Sequence, residues 1–596
     1  MSKRIPVFDR AKEINHNSRV FAVNIFFAIF FIFLSSRLFS LQIKNYSYFA
    51  GQAEIGRSTI QVLSPERGII YFQDKNKNLV PAVINKKYFA VYAVPKEIEN
   101  PKETSAKLAE LIPLPFEEIY SRLNKEGDPY EPLMKKVDDE NLIEKIKKEG
   151  LKGIYIKDEH YRFYPFDSLA AQTIGFVAEA DDGKIRGRYG LEAYYDDVLS
   201  GRAGEFKGVK DAFGRLIRSL FSQEKKIKEG ANIIVTIDKN IQFAGEKALN
   251  DLIKERKAAK GSLIVMEVKT GKVLALANYP SFDLNQFQKV KDYSLYRNYA
   301  VEERYEPGSI IKTITMAAGL DLGKVKPDTT YIDKGYYEIG RYKITNYKNR
   351  VYGRSTMTKV LEQSINTGSI FVANEIGIEN LRKYFKKFGL EELSGIDLPN
   401  EIKGDLSNLE YPKSNPSHLA TASFGGGIAV TPMSLLRAYA AIINNGLSVT
   451  PYLMESIVDE NGVYTSYIPP EPQRVIAKET AETLTNMLVS VIENGFGGNA
   501  KVKGYSLGGK TGTAFIPLFD QKGYSDDEIH SFAGFFPASN PRFIILVKLD
   551  RPQWGEMAAS YTVTLAFREV EKFLINYYNI PPDETPHLEK ISKFIK

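Results

Sequence analysis

One apolar run, Val20 to Ser36, fixes the plan of this chain. It is nearly uncharged, rich in Phe and Ile, and at the lower end of what crosses a bilayer as a helix. Arg19 and Arg37 flank it, and Arg37 can snorkel to the interface, extending the span through Leu38, Phe39 and Leu41. Lys3, Arg4, Arg10, Lys12 and Arg19 precede the run, which directs the N-terminus to the cytoplasmic side. Large residues stand before Ser35 and Ser36, where a cleavage site needs small ones, so an uncleaved anchor is expected. No second stretch of this length follows, so nearly all of the chain is expected beyond the membrane.

That location narrows the chemistry. The 596 residues contain no cysteine, which excludes a thiol nucleophile, a Cys-based zinc site and disulfides. The five histidines are His16, His160, His418, His530 and His587, none in a zinc-ligand spacing. A Ser-His-Asp hydrolase would have to draw on these isolated residues. The net charge of +7 is mildly basic and mixed in sign, a globular composition that calls for no nucleic-acid partner.

After the anchor, short β-rich runs alternate with helical ones as far as about Arg218. Ile60 to Leu63 leads into Ser64 to Tyr71, and Tyr88 to Val94 is strand-like. Leu142, Ile143 and Ile146 recur at helical spacing, with Gly150 as the stop. Glu224 to Gly230 reads as a charged linker. A second domain opens with Ile233 to Asp238, a helical run through Leu249, and a hairpin from Leu263 to Val268 and Val273 to Ala277. Further on, Phe424-Gly425-Gly426-Gly427 precedes an apolar helix ending near Ile443. Ser531 to Phe536 and Phe543 to Leu549 read as a hairpin, followed by a helix from about Tyr561 to Ile575.

Within the second domain, Ser309-Ile310-Ile311-Lys312 follows Glu306-Pro307-Gly308 at the head of an apolar helical stretch. A serine and a lysine three apart share a helix face, so the amine can reach the hydroxyl proton. That supplies a nucleophile and a base without histidine. At a helix start, unpaired N–H groups and the dipole also favour a developing anion. Ser-x-x-Lys alone is common, and Ser222-Gln223-Glu224-Lys225 repeats it in the linker, where it is read as chance. Two further strings give the first copy company: Ser364-Ile365-Asn366, expected inside another helical run, and Lys510-Thr511-Gly512-Thr513. An earlier Lys269-Thr270-Gly271 lies between two strands and reads as a turn. Gly504 to Thr511 fits the phosphate-loop pattern by letter, but the β-prone residues and Pro517 that follow exclude the helix such a loop requires.

The order and intervals of these three motifs resemble those of the penicillin-binding protein and serine β-lactamase superfamily. Upstream, Arg67-Gly68, Arg162-Phe163-Tyr164-Pro165 and Gly190-Leu191-Glu192 resemble the non-catalytic pedestal of class B penicillin-binding proteins. The resemblance implies an α+β chain: a cytoplasmic tail (1–19), a transmembrane anchor (20–43), an elongated pedestal or dimerisation domain (44–221), a linker (222–230), a transpeptidase domain with helices on both sides of an antiparallel sheet (231–580), and a tail (581–596). It implies a D,D-transpeptidase that crosslinks peptidoglycan stem peptides, binds β-lactams and uses no metal or cofactor. Ser309 would form the acyl-enzyme and Lys312 would act as base, its pKa lowered by desolvation and by the Lys510 cation. Ser364 would relay protons, Asn366 would hold the substrate amide, and Lys510, Thr511, Gly512 and Thr513 would receive the terminal carboxylate. The backbone N–H groups of Ser309 and Thr513 would form the oxyanion hole.

The resemblance further implies a SEDS-type glycosyltransferase and division-complex membrane proteins as partners, with the N-terminal helix as membrane attachment. Glu306 to Ser309 and Val430-Thr431-Pro432 look more like the cell-division branch than the elongation branch. An elongation enzyme, a D,D-carboxypeptidase, a β-lactam hydrolase or sensor, and a non-catalytic scaffold are the competing readings. Phe515, Gly426 and the Gln73-Asp74-Lys75-Asn76 turn depart from the family pattern, and bear on acceptor preference and β-lactam affinity. Glu246-Lys247-Ala248-Leu249-Asn250 mimics a β-lactamase string but precedes Ser309, the wrong order.

Overall fold

The computed structural model describes residues 10–45, 58–63, 65–210, 216–217, 223–340, 342–412, 414–518, 523–553 and 558–583. It divides into two compact units, one from described residues of 1–65 and 202–228, the other from those of 66–201 and 229–596. In the first unit, an α-helix covers Arg10–Phe39 and continues as a π-helical turn, Ser40–Lys44. Its apolar side chains, Phe21, Phe31 and Ile32 among them, are exposed, and Arg19–Lys44 is long and apolar enough to cross a membrane. The same unit holds a small antiparallel sheet of Ser58–Leu63, Gly204–Lys210, Leu216–Ile217 and Gln223–Lys225. Part of the stretch read as linker is therefore a strand.

The second unit is built on two sheets. Strand β1 (Ile70–Gln73) pairs antiparallel with the long β2 (Leu79–Ala93), and parallel with β3 (Asn232–Asp238). Glu131–Val137 and Ile154–Phe163 extend the sheet beyond β2, and Met454–Val458 and Tyr464–Ser466 extend it beyond β3. Residues read as pedestal and residues read as transpeptidase thus share one sheet. The helix expected after Asp138 is Glu140–Glu149, capped by Asp139 at its start and by Gly150, at φ +56°, at its end.

Arg67, Arg162 and Glu192, taken from the three pedestal strings, form one buried network. Glu192 receives Arg67 Nε at 2.7 Å and Arg162 Nε at 2.6 Å, while Arg67 also reaches Asp196 at 2.7 Å. A carboxylate this deeply buried is tolerable because both its oxygens are paired with cations.

Helix α1 (Lys239–Arg256) leads to β4 (Lys260–Glu267) and β5 (Val273–Tyr279), joined by a turn in which Gly271 takes φ +82°. Lys269-Thr270-Gly271 is that turn, as its sequence predicts. The carboxylate of Glu246, on α1, is taken up structurally, accepting from the Ala170 amide at 2.7 Å and Gln242 at 2.9 Å. Next come α2 (Lys312–Asp321), a hairpin of β6 (Tyr336–Ile339) and β7 (Tyr342–Thr345), α3 (Met357–Glu362), α4 (Asn366–Lys387) and α5 (Pro432–Ile443). Thr431 caps α5 and Pro432 occupies its first turn, where no donor is lost.

Three strands close the chain: β8 (Gly508–Pro517), β9 (Tyr524–Phe536) and β10 (Phe543–Asp550). They join β4 and β5 in a five-stranded antiparallel sheet of order β5-β4-β10-β9-β8. Leu263, Val265, Phe532, Ile545 and Val547 face the core shared with α1 and α6 (Val563–Tyr578), and Ile264, Met266, Phe535, Ile544 and Leu546 face the opposite core. Burial on both faces is why β4, β5, β10 and the second half of β9 read as largely apolar runs rather than alternating ones. Phe567 of α6 meets Phe532 edge to face at 5.0 Å.

Candidate active site

Ser309 does not open an α-helix directly. It lies in one 3-10 turn, Gly308–Ile311, that runs into α2 at Lys312. In a 3-10 turn residues three apart eclipse, so the departure still sets Ser309 and Lys312 on the same face. Gly308 adopts φ +61°, and a β-carbon there would stand 2.4 Å from the Thr513 carbonyl oxygen. One added at Gly425 would stand 2.3 Å from the Gly308 carbonyl oxygen, and one at Gly512 would stand 2.8 Å from that of Pro307. Only glycine allows these three segments to meet backbone to backbone. From the other side, the fully buried Tyr439 hydroxyl donates to the Ile310 carbonyl at 2.5 Å and lies 2.8 Å from Thr313 Oγ1.

Lys312 is 1% exposed, and its amine donates to the Ser364 carbonyl at 2.6 Å and to Asn366 Oδ1 at 2.7 Å. A neutral amine has two N–H bonds and one lone pair. Two strong acceptors consume both protons and leave the lone pair free to take another. Burial, and then the charge of Lys510, hold the Lys312 pKa well below the ordinary lysine value. Among the described residues no hydrogen bond joins this amine to Ser309 Oγ. Ser309 is half-buried.

Ser364 corrects an expectation. It is not within a helix: α3 ends at Glu362, α4 begins at Asn366, and Ser364 between them takes φ +52°. The left-handed break turns both the carbonyl and the hydroxyl of Ser364 toward lysines. Ser364 Oγ lies 3.3 Å from Lys312 Nζ and receives Lys510 Nζ at 3.0 Å. Asn366 adjoins the same amine. Its carbonyl oxygen is committed to Lys312, and its amide donates to the Thr345 carbonyl at 2.8 Å.

Lys510 is fully buried on β8, and burial lowers its pKa to about 7. β8 continues through Thr511, Gly512 and Thr513 as a strand, so the phosphate-loop pattern is only a coincidence of letters. It is also the edge of its sheet, with β9 on one side only. Thr511 and Gly512 are buried, while Thr513 is half-buried beside the Ser309 turn. His530, opposite Thr513, is occupied by Glu528 and Thr562, each at 2.8 Å. Ser222, in the second Ser-x-x-Lys, lies outside the described residues.

The three motifs therefore meet at one point, through the chain Asn366, Lys312, Ser364, Lys510. Sequence reasoning did not reach the layer behind it. Asp333 is buried, which pushes its pKa up, but Thr367, the Gly335 and Tyr352 amides and Asn346 donate to it and bring the net value below the ordinary one. That cage fixes the start of α4. The Tyr524 hydroxyl reaches the Glu306 carboxylate at 3.1 Å, beside the nucleophile turn. No spacing signals either group, since their partners are backbone atoms or distant in sequence.

Residues 261–570 match the penicillin binding protein transpeptidase domain, and residues 62–235 match the penicillin-binding protein dimerisation domain. The chain is 33% identical over 551 residues to stage V sporulation protein D of Bacillus subtilis, covering 91% of this chain and 83% of that protein. It is 29% identical over 560 residues to the peptidoglycan D,D-transpeptidase FtsI of Escherichia coli, covering 92% and 90%. A crystal structure of penicillin binding protein 3 from Mycobacterium tuberculosis, complexed with aztreonam, superposes with a TM-score of 0.67 at 25% identity, covering 88% of this chain and 98% of that one. On these matches and on this geometry, the chain belongs to the class B penicillin-binding proteins, the serine-type transpeptidase family.

Proposed function

We propose that Ser309 is the acylated nucleophile of a peptidoglycan D,D-transpeptidase. The observation that carries this is the buried Lys312 amine, three residues after Ser309, which donates to the Ser364 carbonyl and Asn366 Oδ1 and in its neutral form keeps a lone pair to accept a proton. Ser309 Oγ attacks the penultimate D-Ala carbonyl of a stem peptide, and Lys312 takes the hydroxyl proton. The backbone N–H groups of Ser309 and Thr513 stabilise the oxyanion, each donor worth about 3–4 kcal/mol. Ser364, hydrogen-bonded between two amines, returns a proton to the leaving D-Ala nitrogen as the C–N bond breaks. The amine of a second stem then attacks the Ser309 ester, forming the crosslink and restoring the hydroxyl.

Lys510, Thr511, Gly512 and Thr513 suit the terminal carboxylate, and the free edge of β8 suits an extended peptide lying alongside as an added strand. Asn366 orients the Lys312 amine and keeps one N–H for the substrate amide. β-Lactams, with a strained amide in place of the scissile bond, would acylate the same hydroxyl.

The wider assignment follows the same reading. Residues 20–43 anchor the chain with its N-terminus cytoplasmic, 44–221 form the pedestal, 222–230 link it, and 231–580 catalyse. Septal wall synthesis beside a SEDS-type glycosyltransferase is the role proposed, motivated by Glu306 to Ser309 and the Val430-Thr431-Pro432 segment. Fluorescent penicillin tests the class: stable labelling of wild type and none of Ser309→Ala is expected. Rapid turnover of label would make the protein a hydrolase, and a folded wild type that never labels would make it a scaffold.

A further inference from the structure

Asp333 takes no part in the chemistry above, yet it is an enclosed carboxylate, 2% exposed, one layer behind the site. It ends the strand Thr330–Asp333 and opens a tight turn, in which its Oδ1 accepts the Gly335 N–H at 2.9 Å and Gly335 takes φ +84°. The β6–β7 hairpin then leaves and comes back to Asn346, whose side-chain amide donates to both oxygens of Asp333 at 3.0 Å. The Tyr352 N–H reaches Oδ2 at 2.7 Å, and the Thr367 hydroxyl reaches Oδ1 at 2.7 Å. Each of these partners is a donor, and none of them is a cation.

Two of the four lead to the lysine. Asn346 follows Thr345 in the chain, and Thr367 follows Asn366. Thr345 and Asn366 are themselves joined, the Asn366 amide donating to the Thr345 carbonyl at 2.8 Å. Asn346 Oδ1 also accepts the Thr367 backbone N–H at 3.1 Å, which ties the two segments a second time. Asp333 thus holds the residue after the donor and the residue after the acceptor of one hydrogen bond. The other end of the Asn366 side chain, Oδ1, takes the Lys312 amine at 2.7 Å. A side-chain amide is planar, so fixing its NH2 group fixes the direction in which its oxygen faces.

We infer that Asp333 is a positioning residue for acylation: it sets the orientation of Asn366 and, through Asn366, that of the Lys312 amine. This rests on Lys312 acting as base for Ser309, and it adds what aims that base. Asp333→Asn keeps the shape of the side chain but exchanges one acceptor for an NH2 group. With donors on all sides, that group faces a donor whichever way it turns.

The test is a double-mutant cycle on the detergent-solubilised full chain, reading acylation by a fluorescent penicillin in stopped flow. It compares the high-pH plateau rates of wild type, Asp333→Asn, Asn366→Ala and the double variant. Asp333→Asn is expected to slow acylation about tenfold in the wild-type background and less than about twofold in the Asn366→Ala background. A loss as large in the second background as in the first overturns the inference, since a purely structural role produces that result. An unchanged rate in a folded Asp333→Asn protein overturns it too. If Asp333→Asn does not fold, Thr367→Val replaces it, leaving a methyl group where Asp333 had a donor. About threefold slower acylation is then expected in the wild-type background and no further loss with Asn366→Ala, and equal losses again overturn the inference. A wild type that never acylates overturns the reading of Ser309 and Lys312 instead, a separate outcome.

Discussion

Lys312 and Asn366 are joined by a 2.7 Å hydrogen bond in which the amide oxygen is the acceptor, so the asparagine spends its carbonyl on aiming the amine. Asn366→Asp keeps the acceptor but adds a negative charge at the same point. A carboxylate in contact with the amine favours the ammonium and raises the Lys312 pKa. Acylation by penicillin is expected to fall about 100-fold at pH 7, two pKa units' worth, and to recover as pH rises. Asn366→Ala, which adds no charge, should show a loss with little recovery at high pH. Stopped-flow acylation across pH separates the two.

Lys510 exacts a stability cost. Its pKa is about 7 when folded against about 10.4 in an unfolded chain, so between those values the unfolded state binds more protons. Stability contributed by this group therefore rises with pH from about 7 to about 10.4, and the penalty at pH 7 is on the order of 4 kcal/mol. Lys510→Met removes it while keeping most of the apolar stem. The variant should melt several degrees higher at pH 7, with the gain shrinking toward pH 10, and should lose acylation. Calorimetry at both pH values checks the sign.

Gly308 has both a left-handed φ and the Thr513 carbonyl in the space a β-carbon would fill. Gly308→Ala is expected to destabilise by about 1–3 kcal/mol or more and to push β8 from the Ser309 turn. Thermal unfolding reports the first effect. A fall in acylation larger than the unfolded fraction explains reports the second.

Tyr439→Phe removes one hydroxyl from a fully buried site and leaves the Ile310 carbonyl without that donor. A loss of about 1–3 kcal/mol is expected, with acylation reduced because the nucleophile turn loosens. Denaturant unfolding and penicillin labelling, run on the same preparation, measure both.

The chemistry was legible because it resides in side chains at fixed intervals: a hydroxyl, two amines and an amide, with glycines at the close approaches. The central strands of the five-stranded sheet were legible because strands buried on both faces are largely apolar. Ser364 was misread because no glycine or proline marks the break, and the apolar spacing from Met357 to Ile376 continues across it. A left-handed serine has no letter of its own. Thr345 was invisible for a simpler reason: it acts through its carbonyl, which any residue could supply. The parallel pairing of β1 with β3 unites strands some 160 residues apart, and no local pattern encodes that partner.

The pH dependence of Ser309 acylation, followed by stopped flow with a fluorescent penicillin, reads the protonation state of Lys312 most directly. Burial and the neighbouring Lys510 lower its pKa, so the rate should rise with pH and level off well below pH 10, and Lys312→Arg, always charged, should not acylate. A rate still climbing through pH 10, or a Lys312→Arg variant acylating as fast as wild type, would contradict a neutral lysine as the base.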